Sequence, residues 1–587
     1  MWGVLVVGIT ETLSAFSALT RLNLAVVWLA VILIALARAS RVRRAIRDFR
    51  RPKIGIVPSV YLAAMAVIVL ITAYLAVAAA PSAWDALSYH LPRVAHWAER
   101  RSVSNYPTNI TRQLWLSPGA EFITLHLQLL TGNDTLSNIP QWLAFVGCAI
   151  VGSYVALLLG AGPTGQLATA LVSLTTPMAI VQASGAQVDL VASFWLLCLI
   201  ALALETMESG RRTTLRHALM IGGAAGLAIL TKTTALLFGF PFAVWYVIVL
   251  FKRGGKASWL IPVVTAGVAV GVNFGFLARN TGLYGNPLGP GLEAGVVNGI
   301  VSPGAILSNV LRNGALQLGT HFPPADTVIF RAVQSLHGPL GIDLNDRRTT
   351  VQGTRFTPVH MSFNEGNAGS PLHAVLALIV GVTLIARRPT RWRNAQYFAI
   401  AVATGYLLFC AYLRWEPWNP RLLLPVLLMS APLIGYGLDT YSSLPLVYGT
   451  SVILFVFALM PLLLNPARPI IRHRPIWSIP REKQYFADMG AWYEPYRSAV
   501  ESVAATGCRR VGIHLGENDW EHPIWVMLRN RLRDGVEIRH VAVPNQSAAT
   551  ASESDKAFVP CAVISINTAT AFTPNGSIAV QWTLSTR

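Results

Sequence analysis

Long apolar segments recur along this chain of 587 residues, and they restrict its fold more than any other feature. Residues 60–80 and 445–464, for example, match the ~20 apolar residues with which an α-helix crosses a hydrocarbon core of ~30 Å. Charged residues make up 12% of the sequence, whereas soluble domains carry roughly 25%. The sequence therefore predicts an all-α polytopic membrane protein.

These segments predict about thirteen transmembrane helices. In chain order the predicted spans are 2–19, 22–38, 57–80, 138–160, 165–183, 190–206, 216–231, 234–251, 258–277, 371–386, 395–413, 421–438 and 445–464. Between them, basic residues concentrate in four short links. The members of these links are Arg38, Arg41, Arg43, Arg44, Arg47, Arg50, Arg51 and Lys53; Arg211, Arg212 and Arg216; Lys252, Arg253 and Lys256; and Arg387, Arg388, Arg391 and Arg393.

The basic links indicate how the chain is oriented in an inner membrane. Short links rich in Lys and Arg remain in the cytoplasm, and all four do so if the N-terminus is cytoplasmic. The loops 81–137 and 278–370, and the tail from about 465, then lie outside the cytoplasm. The net charge of +19 is concentrated in these links, so we expect contact with membrane lipid and no binding of nucleic acid.

This topology divides the chain into three parts. Residues 1–56 hold two additional spans and a basic cytoplasmic loop, and residues 57–464 form a transmembrane module whose outer loops bear amphipathic helices. Residues 465–587 contain β-like runs and one helical run, which predict a small extracytoplasmic α/β domain. Its cysteines, Cys508 and Cys561, either form a disulfide or remain two unpaired thiols.

Asp85 lies at the start of the first outer loop. Downstream of it, Leu87, Leu91 and Val94 recur at helical spacing, which predicts an amphipathic helix on the membrane surface. Asp85 is explained structurally as a cap that meets the positive end of the helix dipole. The two roles are compatible, because a capping carboxylate stays ionised and can act as a base.

Two further candidates flank predicted spans on the outer side. Asp189 begins a span, where an N-cap is again the structural explanation. Lys232 is the lone basic residue of an outer turn, against the positive-inside bias, so we expect it to meet an anion there. The alternative is a lysine that extends its ammonium group to the interface.

Two arginines complete the set. Arg279 opens the second long loop shortly before a Gly-Asn-Pro turn, which gives it a structural alternative. Arg421 begins a span among prolines and tryptophans and suits a phosphate or carboxylate partner, with an ion pair to Glu416 as the alternative. Two carboxylates and three cations at one membrane face suit an anionic lipid-linked donor and an acceptor that loses a proton.

These residues resemble the GT-C superfamily of integral membrane glycosyltransferases, which includes protein O-mannosyltransferases and the aminoarabinose transferases of lipid A. The resemblance covers residues 57–440. It rests on five motifs in order, namely Asp85, Asp189, GLAILTK at 226–232, RNTGLYGNPLGP at 279–290 and RLLLP at 421–425. The sequence departs from many relatives in having Asp85-Ala86 where they have two adjacent acidic residues.

The resemblance implies an inverting glycosyltransferase. It would move a sugar from a polyprenyl-phosphate donor to a hydroxyl of a glycan, lipid or protein acceptor, with Asp85 as the general base. Lys232, Arg279 and Arg421 would hold the donor phosphate. The substrate-binding candidates are Asp189, Lys232, Arg279, Arg421, His90, Arg93 and His96.

The sequence does not decide whether the protein uses a cofactor, and other functions remain compatible with it. A divalent metal is compatible with the family, but no ligand spacing indicates one, and we assign no metal ligand. The alternative functions are a transporter or flippase of a lipid-linked saccharide, and a scaffold that binds through its outer domain.

The tail segment GENDWEHP at 516–523 also has two interpretations. It predicts a helix cap and turn, or a sugar-binding loop in which Trp520 stacks on a ring. A metal site made from its acidic residues and histidine matches no ligand pattern; these residues are Glu517, Asp519, Glu521 and His522.

Overall fold

The computed structural model describes residues 1–38, 55–208, 214–254, 257–290, 295–386, 393–532, 535–566 and 578–582. Helices form most of the described chain. Numbered in chain order, they are α1 (Trp2–Ala15), α2 (Arg21–Ala37), α3 (Ile56–Ala78), α4 (Leu91–Arg100), α5 (Arg112–Trp115), α6 (Gly119–Thr131), α7 (Ile139–Leu158), α8 (Pro163–Thr175), α9 (Pro177–Ala183), α10 (Asp189–Glu208), α11 (Leu215–Thr231), α12 (Ala235–Arg253), α13 (Ala257–Tyr284), α14 (Pro303–Leu318), α15 (Pro323–Leu340), α16 (Pro371–Ala386), α17 (Arg393–Tyr412), α18 (Asn419–Leu422), α19 (Leu424–Tyr441), α20 (Leu444–Leu463), α21 (Arg481–Gln484), α22 (Tyr493–Ala505), α23 (His522–Leu532) and α24 (Glu553–Lys556).

Every predicted span coincides with a helix or a helix pair, and the prediction of a helical polytopic fold is confirmed. Among the described residues, seven helices are long and apolar enough to cross a membrane, or eight if the bent pair α8 and α9 is one span. Four more, α1, α2, α11 and α16, are shorter apolar helices. The count of about thirteen therefore stays a prediction.

A break interrupts the span predicted as continuous over 165–183. The helices α8 and α9 meet at an angle of 63°, and Thr176 between them has extended backbone with ψ of 116°. Pro177 explains the break, because proline has no amide proton and disfavours helical backbone at the residue before it. The bend turns α9 so that Gln182, near its end, reaches the carbonyl of Glu365 at 3.3 Å.

The tail forms the α/β domain that the sequence predicts. Its strands β1 (Arg510–His514), β2 (Glu537–His540), β3 (Ala562–Ile566) and β4 (Ile578–Trp582) make a parallel sheet in the order β2-β1-β3-β4. Parallel strands need crossover connections, and α23 supplies the one from β1 to β2. Cys508 and Cys561 form the disulfide, which joins the segments that enter β1 and β3.

One end of the helix bundle, here called the loop face, carries the described residues of the segments 81–137 and 278–370 and of the tail. The loops and the tail contact one another there. Gln484 in α21 accepts a hydrogen bond at 2.8 Å from the amide of Ala80, directly after α3. Asp134 binds Arg481 at 3.0 Å and accepts a hydrogen bond at 2.7 Å from Tyr485. The tail is thereby fixed to the first loop.

At the opposite end of the bundle, described residues close to the ends of the helices contact one another. Asp439 accepts a hydrogen bond at 2.6 Å from the amide of Gly162, and Arg253 donates at 2.9 Å to the carbonyl of Thr206. Of the four basic links, the structure describes the side chains of Arg38, Arg216, Lys252 and Arg253; the remaining members lie outside the residues whose side chains are described.

The helix predicted for the membrane surface forms, but it is buried. A π-helix over Ala86–His90 runs directly into α4, and every residue from 85 to 97 is buried. The tail covers the side of this helix that was expected to face solvent or lipid headgroups. The carbonyl of Leu87, for example, accepts a hydrogen bond at 3.0 Å from the amide of Glu521.

Glu365 and Arg468 form a buried ion pair that joins the second loop to the start of the tail. Both guanidinium amino groups lie 3.3 Å from a carboxylate oxygen, and Arg468 also donates to Ser82 at 3.1 Å. The two side chains are 3% and 0% exposed. A Cβ on Gly185 would overlap the Glu365 carboxylate, so a larger residue there would have to displace this side chain from its ion pair.

The substitution Glu365→Gln should destabilise the fold, because it removes the carboxylate that pairs directly with the buried Arg468 guanidinium. Breaking such a pair costs about 3–5 kcal/mol. The measurement is the thermal midpoint of the purified protein in detergent. Glu494→Gln is the matched control, since Glu494 pairs with Arg497 on the surface of α22, where ion pairs contribute little. Equal midpoints for the two variants would contradict the assignment.

Candidate functional site

Asp85 is positioned by the turn between α3 and the π-helix. The backbone leaves α3 in an extended conformation at Ala79, and Asp85 directly precedes Ala86–His90. Its carboxylate makes no capping hydrogen bond, so capping does not account for it. π-Helical turns widen the backbone and occur frequently at functional sites.

The partners of the Asp85 carboxylate are cations and a phenol. One oxygen, Oδ2, lies 2.6 Å from Nη1 of Arg421 and accepts a hydrogen bond at 3.0 Å from the hydroxyl of Tyr89. The other, Oδ1, lies 3.7 Å from Nη1 of Arg112. Arg421 therefore pairs with Asp85 instead of Glu416, the partner considered from the sequence.

These cations control the ionisation of Asp85. Burial raises the pKa of the carboxyl group, but Arg421 first and Arg112 second outweigh that effect, and the pKa falls well below its ordinary value. Asp85 is consequently a carboxylate throughout the physiological range. Nearby, burial raises the pKa of Glu416 despite the opposing charges of Arg421 and Lys232.

Asp189 and Lys232 form a second pair at the same face. Asp189 is the first residue of α10 and Lys232 directly follows α11, and their side chains form an ion pair. Gln182 donates to the second carboxylate oxygen of Asp189 at 3.2 Å. The anion expected for Lys232 is thus Asp189 itself in this structure.

Arg421 connects the two pairs. Its Nη1 donates to Oε1 of Gln187 at 3.5 Å, two residues before Asp189. Its Nε is buried and has no hydrogen-bond partner among the described residues. A buried donor without an acceptor is costly, so this nitrogen is available for an anionic ligand.

Arg279 does not join this group. Its guanidinium forms a bidentate pair with Glu11 in α1, at 2.7 and 2.8 Å. The loop that follows is a turn, as its sequence indicates. Gly285 has φ of +70°, and Asn280 donates to the carbonyl of Pro287 at 3.1 Å. The structure therefore gives Arg279 a position that braces α1 against α13.

The three candidates on the buried helix also have structural partners. His90 contacts Glu121 at 2.6 Å. Arg93 is fully buried and donates to the carbonyls of Leu116 and Arg112, each at 2.9 Å. His96 faces the tail, where Nε2 lies 2.7 Å from Oε1 of Glu521.

Arg112 is a further residue of the candidate site, and the sequence did not indicate it. Its Nη2 donates to the carbonyl of Glu517 at 2.5 Å and to the side-chain oxygen of Asn518 at 2.8 Å, and its guanidinium lies over the ring of Tyr89 at 4.9 Å. The tail thus holds Arg112 beside Asp85. No local sequence signal distinguishes Arg112 from the other arginines of the first loop, because its position depends on the tail.

The tail segment 516–523 adopts the turn and not the open sugar-binding loop. Asp519 accepts a hydrogen bond at 2.7 Å from the amide of Gly516. Trp520 is fully buried against Trp84 and Trp492, with ring centroids 5.2 and 5.0 Å away. Its ring therefore has no face free for a sugar.

No protein-family model and no curated protein matches the chain. Among solved structures, the chain is similar to ArnT from Cupriavidus metallidurans in the apo state, at 14% identity over 86% of this chain and 89% of that chain, with a TM-score of 0.46. It is also similar to the Archaeoglobus fulgidus oligosaccharyltransferase in the apo form (11% identity, 82% of this chain, 64% of that chain, TM-score 0.38). A third similar structure is the arabinosyltransferase EmbB from Mycobacterium smegmatis (15% identity, 80% of this chain, 47% of that chain, TM-score 0.33). The chain spans less than two thirds of the latter two.

The double substitution Glu517→Ala and Asn518→Ala should loosen the first loop around Arg112. Thr111 donates to Glu517 through both its amide, at 2.9 Å, and its hydroxyl, so these contacts are lost. Amide hydrogen exchange of residues 108–116 should become faster. Glu553→Ala is the control, because Glu553 is exposed and pairs with Lys556 on the surface of α24, away from the first loop. Unchanged exchange in the double variant would refute the proposed restraint.

Proposed function

We propose that this chain is an inverting glycosyltransferase of the GT-C superfamily. It moves a sugar from a polyprenyl-phosphate donor to an acceptor hydroxyl at the outer face of the inner membrane. The observation that carries the proposal is the position of Arg421. Its guanidinium contacts Asp85 and Gln187, adjacent to the pair formed by Asp189 and Lys232. A candidate base and two candidate phosphate ligands are thereby brought together from segments distant in sequence.

The proposed reaction is a single displacement. Asp85 accepts the proton of the acceptor hydroxyl, and the hydroxyl oxygen attacks the anomeric carbon of the donor sugar. The bond from that carbon to the phosphate oxygen breaks, and polyprenyl phosphate leaves with an additional negative charge. Arg421 and Lys232 stabilise this charge as it develops, which is the effect that accelerates such a step. Asp189 orients the sugar or the acceptor.

The ion pair with Arg421 makes Asp85 a weak base in the free protein, and donor binding would relieve this. A phosphate competes with Asp85 for the guanidinium, and the buried Nε of Arg421 offers a further donor. As Arg421 turns toward the phosphate, less positive charge lies close to the Asp85 carboxylate. The pKa of its carboxyl group therefore rises. The base would then gain strength when the substrate is present.

The membrane orientation is part of the proposal. The four basic links support a cytoplasmic N-terminus. In this orientation the loop face and the tail lie outside the cytoplasm. The disulfide between Cys508 and Cys561 supports the same orientation, since disulfides persist in oxidising compartments. The acceptor would be a glycan, lipid or protein of the cell envelope, and the hydroxyl must reach Asp85 from the outer side.

A transporter or flippase of a lipid-linked saccharide is the alternative. Asp85, Asp189, Lys232 and Arg421 all lie at helix ends or in loops. A transporter binds its substrate near the membrane midplane, between discontinuous helices. The position of these charges at one face supports the transferase.

Replacement of Asp85 by Asn should abolish sugar transfer; because it also removes the carboxylate that pairs with Arg421, transfer is measured only on protein whose thermal midpoint shows that it is folded. Removal of a general base typically lowers the rate by roughly 10²–10⁴-fold. The assay uses purified protein in detergent, labelled polyprenyl-phosphate sugars and crude envelope acceptor. Asp346→Asn is the matched control, because Asp346 pairs with Arg348 in the second loop. Equal transfer by wild type and Asp85→Asn would exclude Asp85 as the base.

The acid limb of the pH profile should move to higher pH in Arg112→Gln. Burial raises the pKa of Asp85, while Arg421 and Arg112 lower it, so removal of one cation raises it. The protonated, inactive form then appears at a higher pH than in wild type. The measurement is kcat between pH 4 and 8, which reports the enzyme–substrate complex, where the proposed release of Asp85 from Arg421 has already raised the pKa of its carboxyl group. An acid limb that stays in place would show that Asp85 does not titrate in that limb.

A further inference from the structure

The strongest cluster outside the proposed site lies where the tail covers the buried helix. His96 in α4, Glu521 directly before α23 and His540 at the end of β2 place their ligand atoms within 4.8 Å of one another. The distances are 2.7 Å from Nε2 of His96 to Oε1 and 3.1 Å from Nε2 of His540 to Oε2 of Glu521. All three side chains are buried.

Glu521 is a buried carboxylate without a basic partner. It is fully buried, and in the described part of the chain no Arg or Lys forms an ion pair with it; only the two histidines lie within ion-pair distance. A carboxylate taken out of water is costly unless a cation compensates it. Neutral histidines do not supply that charge, whereas a divalent cation between the three groups does.

The surroundings match those of a metal ligand set. Each carboxylate oxygen of Glu521 has one separate donor, with Trp525 at 2.8 Å from Oε1 and Gln113 at 2.6 Å from Oε2. Each oxygen can still accept from or bind a second group, and the nearest such group is His96 for Oε1 and His540 for Oε2. Nδ1 of His540 lies 2.8 Å from Oδ1 of Asn109. An outer hydrogen bond of this kind fixes the ring and leaves Nε2 for the metal.

We propose that His96, Glu521 and His540 bind a structural zinc ion that fixes the tail to the first outer loop. Two imidazoles and one carboxylate are a known zinc ligand set, and nitrogen with oxygen ligands disfavours calcium and magnesium. The hydroxyl of Thr108, 3.1 Å from Nε2 of His540, or a water molecule would complete four ligands. This site does not depend on the proposed transferase function.

The functional consequence is indirect. Gln113 bonds both Glu521 and the carbonyl of Ser88, and the adjacent Arg112 lies beside Asp85. A metal at Glu521 would therefore hold the tail and the first loop in the arrangement that surrounds Asp85. The ion itself would not contact the substrate.

The test measures zinc in the purified full-length protein. After incubation with zinc chloride and removal of unbound metal, elemental analysis should give about one zinc per chain in wild type. His540→Gln and Glu521→Gln should lose it. His514→Gln, on β1 outside the cluster, is the matched control and should retain it. Asn109→Ala should lower the zinc affinity by roughly 10–100-fold through the outer hydrogen bond.

A second measurement uses wild-type protein alone, so its result does not depend on whether a variant folds. Chelation should lower the thermal midpoint of wild type, and added zinc should restore it, because a ligand that binds the native state stabilises it. The proposal would be overturned if wild-type protein bound no zinc and its thermal midpoint did not change on chelation or on addition of zinc. Zinc retained in both His540→Gln and Glu521→Gln would overturn the assignment to this cluster.

Discussion

Charges buried at the edge of an apolar bundle must be paired, and this requirement organises the loop face. Asp85 pairs with Arg421, Asp189 with Lys232, and Glu365 with Arg468. Each pair joins segments that are distant in sequence, and a single unpaired member would be strongly destabilising. The pairs therefore fix the two long loops and the start of the tail relative to the helix ends.

The same pairs explain how a stable fold can still bind an anion. An arginine held by a carboxylate can exchange that partner for a phosphate at little net cost, because its charge remains compensated throughout. Arg421 is suited to the exchange, since its Nε has no partner among the described residues and guanidinium groups bind phosphate in a bidentate manner. In the proposed reaction, the exchange also releases Asp85 to act as a base.

The fold could be predicted from the sequence because its signals are local. Apolar segments of sufficient length identified the predicted spans, and β-like runs with one helical run identified the α/β tail, whereas the helices α14 and α15 of the second loop carried no such signal. The break at Pro177 also has a local cause, although it was predicted as part of a continuous span. The burial of α4 had no such signal, because its amphipathic spacing suits a membrane surface as well as a domain interface.

The site could be predicted only in part. Asp85, Asp189, Lys232 and Arg421 carried signals of their own, as charges at apolar helix ends. Arg112 carried none, and Arg279 and His96 proved to have partners, Glu11 and Glu521, that lie 268 and 425 residues away in the chain. Pairings over such distances depend on tertiary structure, which no spacing rule in one sequence reports.

The most direct test is a cryo-EM structure of the protein with bound polyprenyl phosphate in a lipid nanodisc. We predict density for the phosphate between Arg421 and Lys232, with the guanidinium of Arg421 moved away from Asp85 and the Asp85 carboxylate open to the outer side. A phosphate bound elsewhere, with the ion pair between Arg421 and Asp85 intact, would contradict the proposed site and the role of Asp85.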